Sequence, residues 1–102
     1  MVQVKVQKQK NKFQKIVVSG HADFCRKKSD IVCSAISAIV FGTLNALDKQ
    51  TAESVNLLVN DNEVQFIVIK SNDINQIILK TMIYQLETIV ESYKKNLKIE
   101  EI

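Results

Sequence analysis

The sequence predicts an α+β domain in the order β-β-α-β-β-α, an antiparallel sheet of two hairpins packed with two helices. Three observations predict it. Val2, Val4 and Val6 alternate with Gln3, Lys5 and Gln7, and Val55 to Val68 alternates in the same way, the period-two pattern of half-buried strands. Two longer segments, beginning near Asp30 and Ile74, instead repeat their apolar residues at three and four, the period of a helix buried along one side. Asn-, Asp- and Lys-rich breaks separate these segments in a chain with no Pro and two Gly.

Each element follows in order. Val2 to Val6 forms a first strand, and FQKIVVS, residues 13 to 19, is its hairpin partner after a turn around Lys8 to Lys12. Gly20 ends that strand, and a polar loop runs to Ser29. From Asp30 the residues Ile31, Ala35, Ile36, Ile39, Val40, Leu44 and Leu47 predict a helix, with Ser29 or Asp30 as its N-cap. Val55, Leu57 and Val59, then Val64, Phe66 and Val68, predict a second hairpin about Asn60-Asp61-Asn62. Leu58, Ile67 and Ile69 add apolar residues on its outer face, which self-association would cover. Ile74, Ile77, Ile78, Met82, Leu86, Ile89, Val90, Tyr93 and Leu97 predict a last, long helix capped within Ser71 to Asp73.

Length bounds the function. At 102 residues the chain is expected to be a single domain, residues 1 to 102, too small for a separate substrate lobe, so an active site would be shallow or shared between copies. The polar start MVQVKVQKQK lacks the apolar core of a signal peptide, and no uninterrupted apolar run approaches the roughly 18 residues of a membrane span. These features predict a cytoplasmic protein without membrane partners and with free thiols at Cys25 and Cys33. The net charge of +3 is uneven: residues 1 to 28 carry eight Lys and Arg against Asp23 alone. Such a basic end can meet nucleic acid. Few aromatic residues are interleaved with it, so a base-stacking platform is lacking and direct nucleic-acid binding is not expected.

The stretch VVSGHADFCRKKSDIVCSA gathers the only His and both Cys of the chain. His21 follows a strand end, and Cys33 falls in the first turn of the first helix. There the unpaired amides and the positive end of the helix dipole favour thiolate over thiol. An imidazole folded against it would stabilise the thiolate and protonate a leaving amine, the minimum equipment of a cysteine peptidase. Two other readings compete. Cys33 beside Ile31, Val32 and Ala35 is also an ordinary small core residue, and His21, Asp23, Cys25 and Cys33 together could ligate zinc, although C-x7-C is not a usual zinc spacing. No cofactor motif is present in the sequence, and none is expected.

The run SGHADFCRKKSDIVCSAISAI resembles the signature of the ribosomal-processing cysteine protease (Prp) family, through Gly20, His21, Ala22, Asp30, Ile31, Val32, Cys33, Ser34, Ala35 and Ser37. The resemblance implies a homodimeric cysteine endopeptidase that removes the amino-terminal extension of the large-subunit ribosomal protein numbered twenty-seven, a ribosomal protein precursor. Cys33 would be the nucleophile, His21 the general base and acid, Asp30 a group that orients the imidazole or caps the helix, and Ser37 a residue lining the site. The Cys33 amide would be an oxyanion donor, and Phe24 or Phe41 would line a pocket for aromatic residues before the cut. Asp23 and Lys28 stand where the family tends to carry Gly, and Cys25 lies in the same loop, where a Cys25–Cys33 disulfide would silence the nucleophile. The alternative is a non-enzymatic ribosome- or RNA-associated protein that binds phosphate through its basic amino-terminal segment.

Overall fold

The computed structural model describes residues 1–20 and 31–102. Strand β1 (Val2–Gln9) turns back into β2 (Lys12–Ser19), helix α1 (Ile31–Thr51) follows, then the hairpin of β3 (Val55–Val59) and β4 (Glu63–Val68), helix α2 (Asp73–Ser92) and a final strand β5 (Leu97–Glu101). The sheet order is β3-β4-β2-β1-β5. Both expected hairpins form, and β2 joins them by pairing antiparallel with β4, Ile16 opposite Phe66.

Two features extend the expected order. The sheet has a fifth strand, β5, which pairs parallel with β1 so that Val2 faces Leu97 and Val4 faces Ile99. The sheet is therefore mixed rather than purely antiparallel. Helix α2 correspondingly stops at Ser92 with Tyr93 as its C-cap, so Leu97 belongs to a strand and not to the last helical turn. Leu97 and Ile99 alternate with Lys98 and Glu100, and Leu97 is 1% exposed, which is what an edge strand over a covered face requires.

Val2, Val4, Val6, Ile16, Val18, Val64, Phe66 and Val68 form one buried face of the sheet. Ile36, Val40 and Leu47 of α1 and Leu79, Met82 and Leu86 of α2 close the same core cluster, so both helices lie on that face. The other face carries Gln3, Lys5, Asn56, Leu58 and Lys98, all outside the buried core. Leu58 and Ile69 stay exposed in the single chain. Helix α1 is long and apolar enough to cross a bilayer by length and composition, with a mean hydropathy of 1.7. Its Ile36, Val40 and Leu47 are nonetheless packed into the core.

Polar contacts fix the helices at one end of the sheet. Asn72 and Asn75 cap α2 reciprocally, each side chain accepting the other's backbone N–H. The fully buried Asn75 also donates to Ser54 Oγ and the Lys70 carbonyl, both at 2.9 Å, while Asn72 reaches Thr51 Oγ1 at the end of α1. Gln76 clamps β2 by accepting the Phe13 N–H at 2.7 Å and donating to the Phe13 carbonyl at 3.0 Å. The end of α1, the start of α2 and the β1–β2 turn thus share one end of the molecule. The start of α1, about 31 Å away along a 21-residue helix, lies toward the other.

Candidate functional site

The site end of the molecule is built from Gly20 and the first turn of α1. Gly20 has φ +82°, in the left-handed region that side chains rarely adopt. Its N–H donates to the Asn62 carbonyl at 3.2 Å, tying the exit of β2 to the β3–β4 turn. A Cβ at this position would lie 2.6 Å from the Met1 carbonyl oxygen, so only Gly fits beneath the start of β1. The glycine before His21 is therefore a backbone requirement. It sets where the chain leaves the sheet.

Cys33 is the third residue of α1 and is 8% exposed. The buried stripe of α1 runs through Val32, Ile36, Val40, Thr43 and Leu47, and Cys33 sits beside it. Ile31, expected on the core face, is 71% exposed, because five residues before Ile36 the helix has turned about 140° from that stripe. Ala35, expected on the same face, is exposed as well. Ser37 lies one turn beyond Cys33 and is half-buried, and Phe41 is 41% exposed.

Cys33 is disulfide-bonded in this structure. The expectation of free thiols is overturned at this residue. The sequence holds one other cysteine, Cys25, which lies outside the described residues, as do His21, Asp23, Phe24, Lys28 and Asp30. The His21–Cys33 distance, the role of Asp30, its capping of α1 and the zinc set with Asp23 and Cys25 therefore fall outside what the structure describes. Within it, Cys33 and Ser37 are brought to one end of α1, and Gly20 delivers the chain into the His21 segment.

Comparison with known proteins decides the class. The family model for cysteine protease Prp matches residues 1–98. The chain belongs to the cysteine protease Prp family. A ribosomal processing cysteine protease Prp from Staphylococcus aureus (strain Mu50 / ATCC 700699) is 38% identical over 87 residues, 82% of either chain. Its Bacillus subtilis (strain 168) counterpart is 29% identical over 89 residues, 80% of either chain. The fold matches the crystal structure of an essential ribosomal processing protease Prp from S. aureus in complex with a covalently linked product peptide, with TM-score 0.91, 31% identity and full coverage of both chains. As a Prp family member the chain is a cysteine peptidase, and its α+β fold is the fold of that peptide-bound Prp. Gly20, read from the sequence as the end of a strand and as part of the Gly-His-Ala signature, gains from the structure a backbone reason: a positive φ under the Met1 carbonyl.

Proposed function

We propose that this peptidase removes the amino-terminal extension of the large-subunit ribosomal protein numbered twenty-seven, using Cys33 as nucleophile and His21 as general base and acid. The observation that carries this reading is the place of Cys33 in the first turn of α1, in a chain whose fold overlays a Prp holding a covalently linked product peptide. The relatives' description as ribosomal processing proteases supports a ribosomal substrate.

In the reduced enzyme the Cys33 thiolate attacks the scissile carbonyl carbon, and the oxyanion forms against backbone amides at the start of α1. The His21 imidazolium gives its proton to the leaving amine, and the C–N bond breaks. A thioester to the amino-terminal fragment is left. His21 then takes a proton from water, the hydroxide attacks the thioester, and the acid departs as the Cys33 thiolate is restored. Asp30, three residues before Cys33 in sequence, is assigned the orienting of the imidazole, and Ser37 the lining of the site.

Before any of this, the Cys33 disulfide has to accept two electrons and two protons from a thiol reductant, which is itself oxidised to a disulfide. The enzyme works in the cytoplasm, where thiol pools supply such a reductant. It acts as a homodimer, a reading supported by the exposed Leu58 and Ile69, which the sequence places on the outer face of the second hairpin. The test is incubation of the reduced protein with the extended ribosomal protein, read by mass spectrometry, beside Cys33→Ala and His21→Ala. One discrete cut, lost in both variants, is expected; a cut that survives Cys33→Ala refutes the assignment. Light scattering should give twice the 11.6 kDa chain mass, and a monomer at working concentration would refute the dimer.

A further inference from the structure

The β1–β2 turn carries a charged feature that the peptidase reaction does not use. Lys8, Lys10 and Lys12 crowd a two-residue turn in which Lys10 (φ 52°) and Asn11 (φ 64°) both adopt left-handed backbone. Folding brings a fourth cation to them from the other end of the sequence. Lys80 of α2 lines a cavity of about 310 Å³ together with Lys8, Lys12 and Phe13. All four lysines are exposed, and among the described residues none is in an ion pair. Asp73 is the one acid among the described residues that line the cavity. The patch stands roughly 23 Å of β2 away from Gly20, at the opposite end from Cys33.

We propose that Lys8, Lys10, Lys12 and Lys80 form a docking surface for the phosphate backbone of double-stranded RNA. The choice of RNA rests on the ribosomal-substrate reading above, since the particle that such a substrate joins is largely RNA. The side chains select among anionic partners. Residues 8 to 12 are all polar, Lys-Gln-Lys-Asn-Lys, and Ile77 is the one exposed apolar side chain among the described residues that line the cavity, too small an anchor to hold the tip in a bilayer. Phe13 is 6% exposed and its ring lies 4.9 Å from Lys8 Nζ, and the exposed Tyr84, its ring 5.8 Å from Lys80 Nζ, is one ring rather than a platform on which successive unpaired bases could stack. What is left is a set of point charges, suited to phosphates and indifferent to sequence. The lack of interleaved aromatics argues against base recognition. It leaves phosphate docking open.

The test is fluorescence anisotropy of a labelled RNA hairpin with a stem of about 16 base pairs, titrated with the full reduced protein. Four phosphate contacts predict a log–log dependence of affinity on salt with a slope of about −3 to −4, close to a hundredfold loss between roughly 50 and 200 mM. The variant Lys10→Gln/Lys12→Gln/Lys80→Gln should lose at least about tenfold at low salt, while the corresponding Lys→Arg variant keeps its binding. Lys94→Gln/Lys95→Gln/Lys98→Gln removes the same charge at the other end of the molecule and should change binding by less than about twofold. Circular dichroism checks that each variant is folded.

No binding by the wild type at low salt overturns the proposal. Equal losses in the two Lys→Gln variants overturn it too, because net charge would then explain the binding. Tighter binding to phosphatidylserine vesicles than to RNA would assign the patch to a lipid surface instead. Cleavage of the RNA-free extended ribosomal protein is followed in the same preparations and should be unchanged by the tip substitutions. Its absence in the wild type would refute the substrate reading while leaving the RNA result legible.

Discussion

Gly20→Ala should damage both the fold and the site, and the structure gives the size of the effect. A left-handed residue other than Gly costs about 1–2 kcal/mol. The new Cβ would also lie 2.6 Å from the Met1 carbonyl oxygen, too close for any real contact. Met1 cannot simply retreat, because the adjoining Val2 N–H donates to the Asn96 carbonyl at 2.9 Å and Val2 pairs with Leu97 in the β1–β5 register. Strain and displaced backbone together should lower stability by about 2–4 kcal/mol. In a domain of this size that is a fall in Tm of about 10–20 °C. Because Gly20 directly precedes His21 in the chain, the residual folded enzyme should also lose kcat/KM. The internal control is Gly42→Ala, in the middle of α1, where an added Cβ meets nothing within 4 Å. It should stabilise by about 0.5–1 kcal/mol through helix propensity. Urea unfolding of both variants, with peptide hydrolysis measured alongside, decides the matter. A Gly20→Ala protein as stable and active as the wild type would refute the positioning role, as would a destabilised Gly42→Ala protein.

Other substitutions test separate contacts. Gln76→Ala removes both partners of the Phe13 backbone and should cost about 1–3 kcal/mol in urea unfolding; no loss would mean that water replaces the clamp freely. Asn75→Asp keeps the shape of a fully buried side chain but replaces two donated bonds, to Ser54 and Lys70, with a carboxylate facing a carbonyl. It should destabilise by about 2–4 kcal/mol at neutral pH, and a stability equal to wild type would show that the cap tolerates charge. The Cys33 disulfide predicts an oxidised protein without reactive thiols and without hydrolysis, roughly 2 Da lighter than the reduced form. Thiol titration and peptide hydrolysis before and after dithiothreitol check this; full activity without reductant would contradict it.

Much of this architecture is legible in the residues. The alternation of Val2-Val4-Val6 and of Val64-Phe66-Val68 specifies the buried sheet face, because a half-covered sheet must alternate. Helix α1 is announced by Ile36, Val40 and Leu47 at helical spacing. Its phase at the start is ambiguous in sequence, where Ile31 is as apolar as Val32 and only the packing partner leaves Ile31 exposed and Val32 buried. Strand β5 had a visible signal in Leu97-Lys98-Ile99-Glu100, but Leu97 also fits the helical spacing that precedes it, and a parallel edge partner cannot be read from a short segment. The Gln76–Phe13 clamp and the Asn75–Ser54 bond join residues 63 and 21 positions apart, beyond the reach of local patterning. Cys33 was legible as a candidate nucleophile from its place at a helix start. Its disulfide was expected only as an inhibitory possibility, because spacing in sequence does not fix the meeting of two sulfurs.

The most direct test of Cys33 as nucleophile is rapid acid quenching of the reduced enzyme with the extended ribosomal protein, followed by intact mass and peptide mapping. A transient adduct on Cys33, equal in mass to the amino-terminal fragment and missing in Cys33→Ala, is the predicted result. An adduct on another residue, or cleavage that persists in Cys33→Ala, would contradict it.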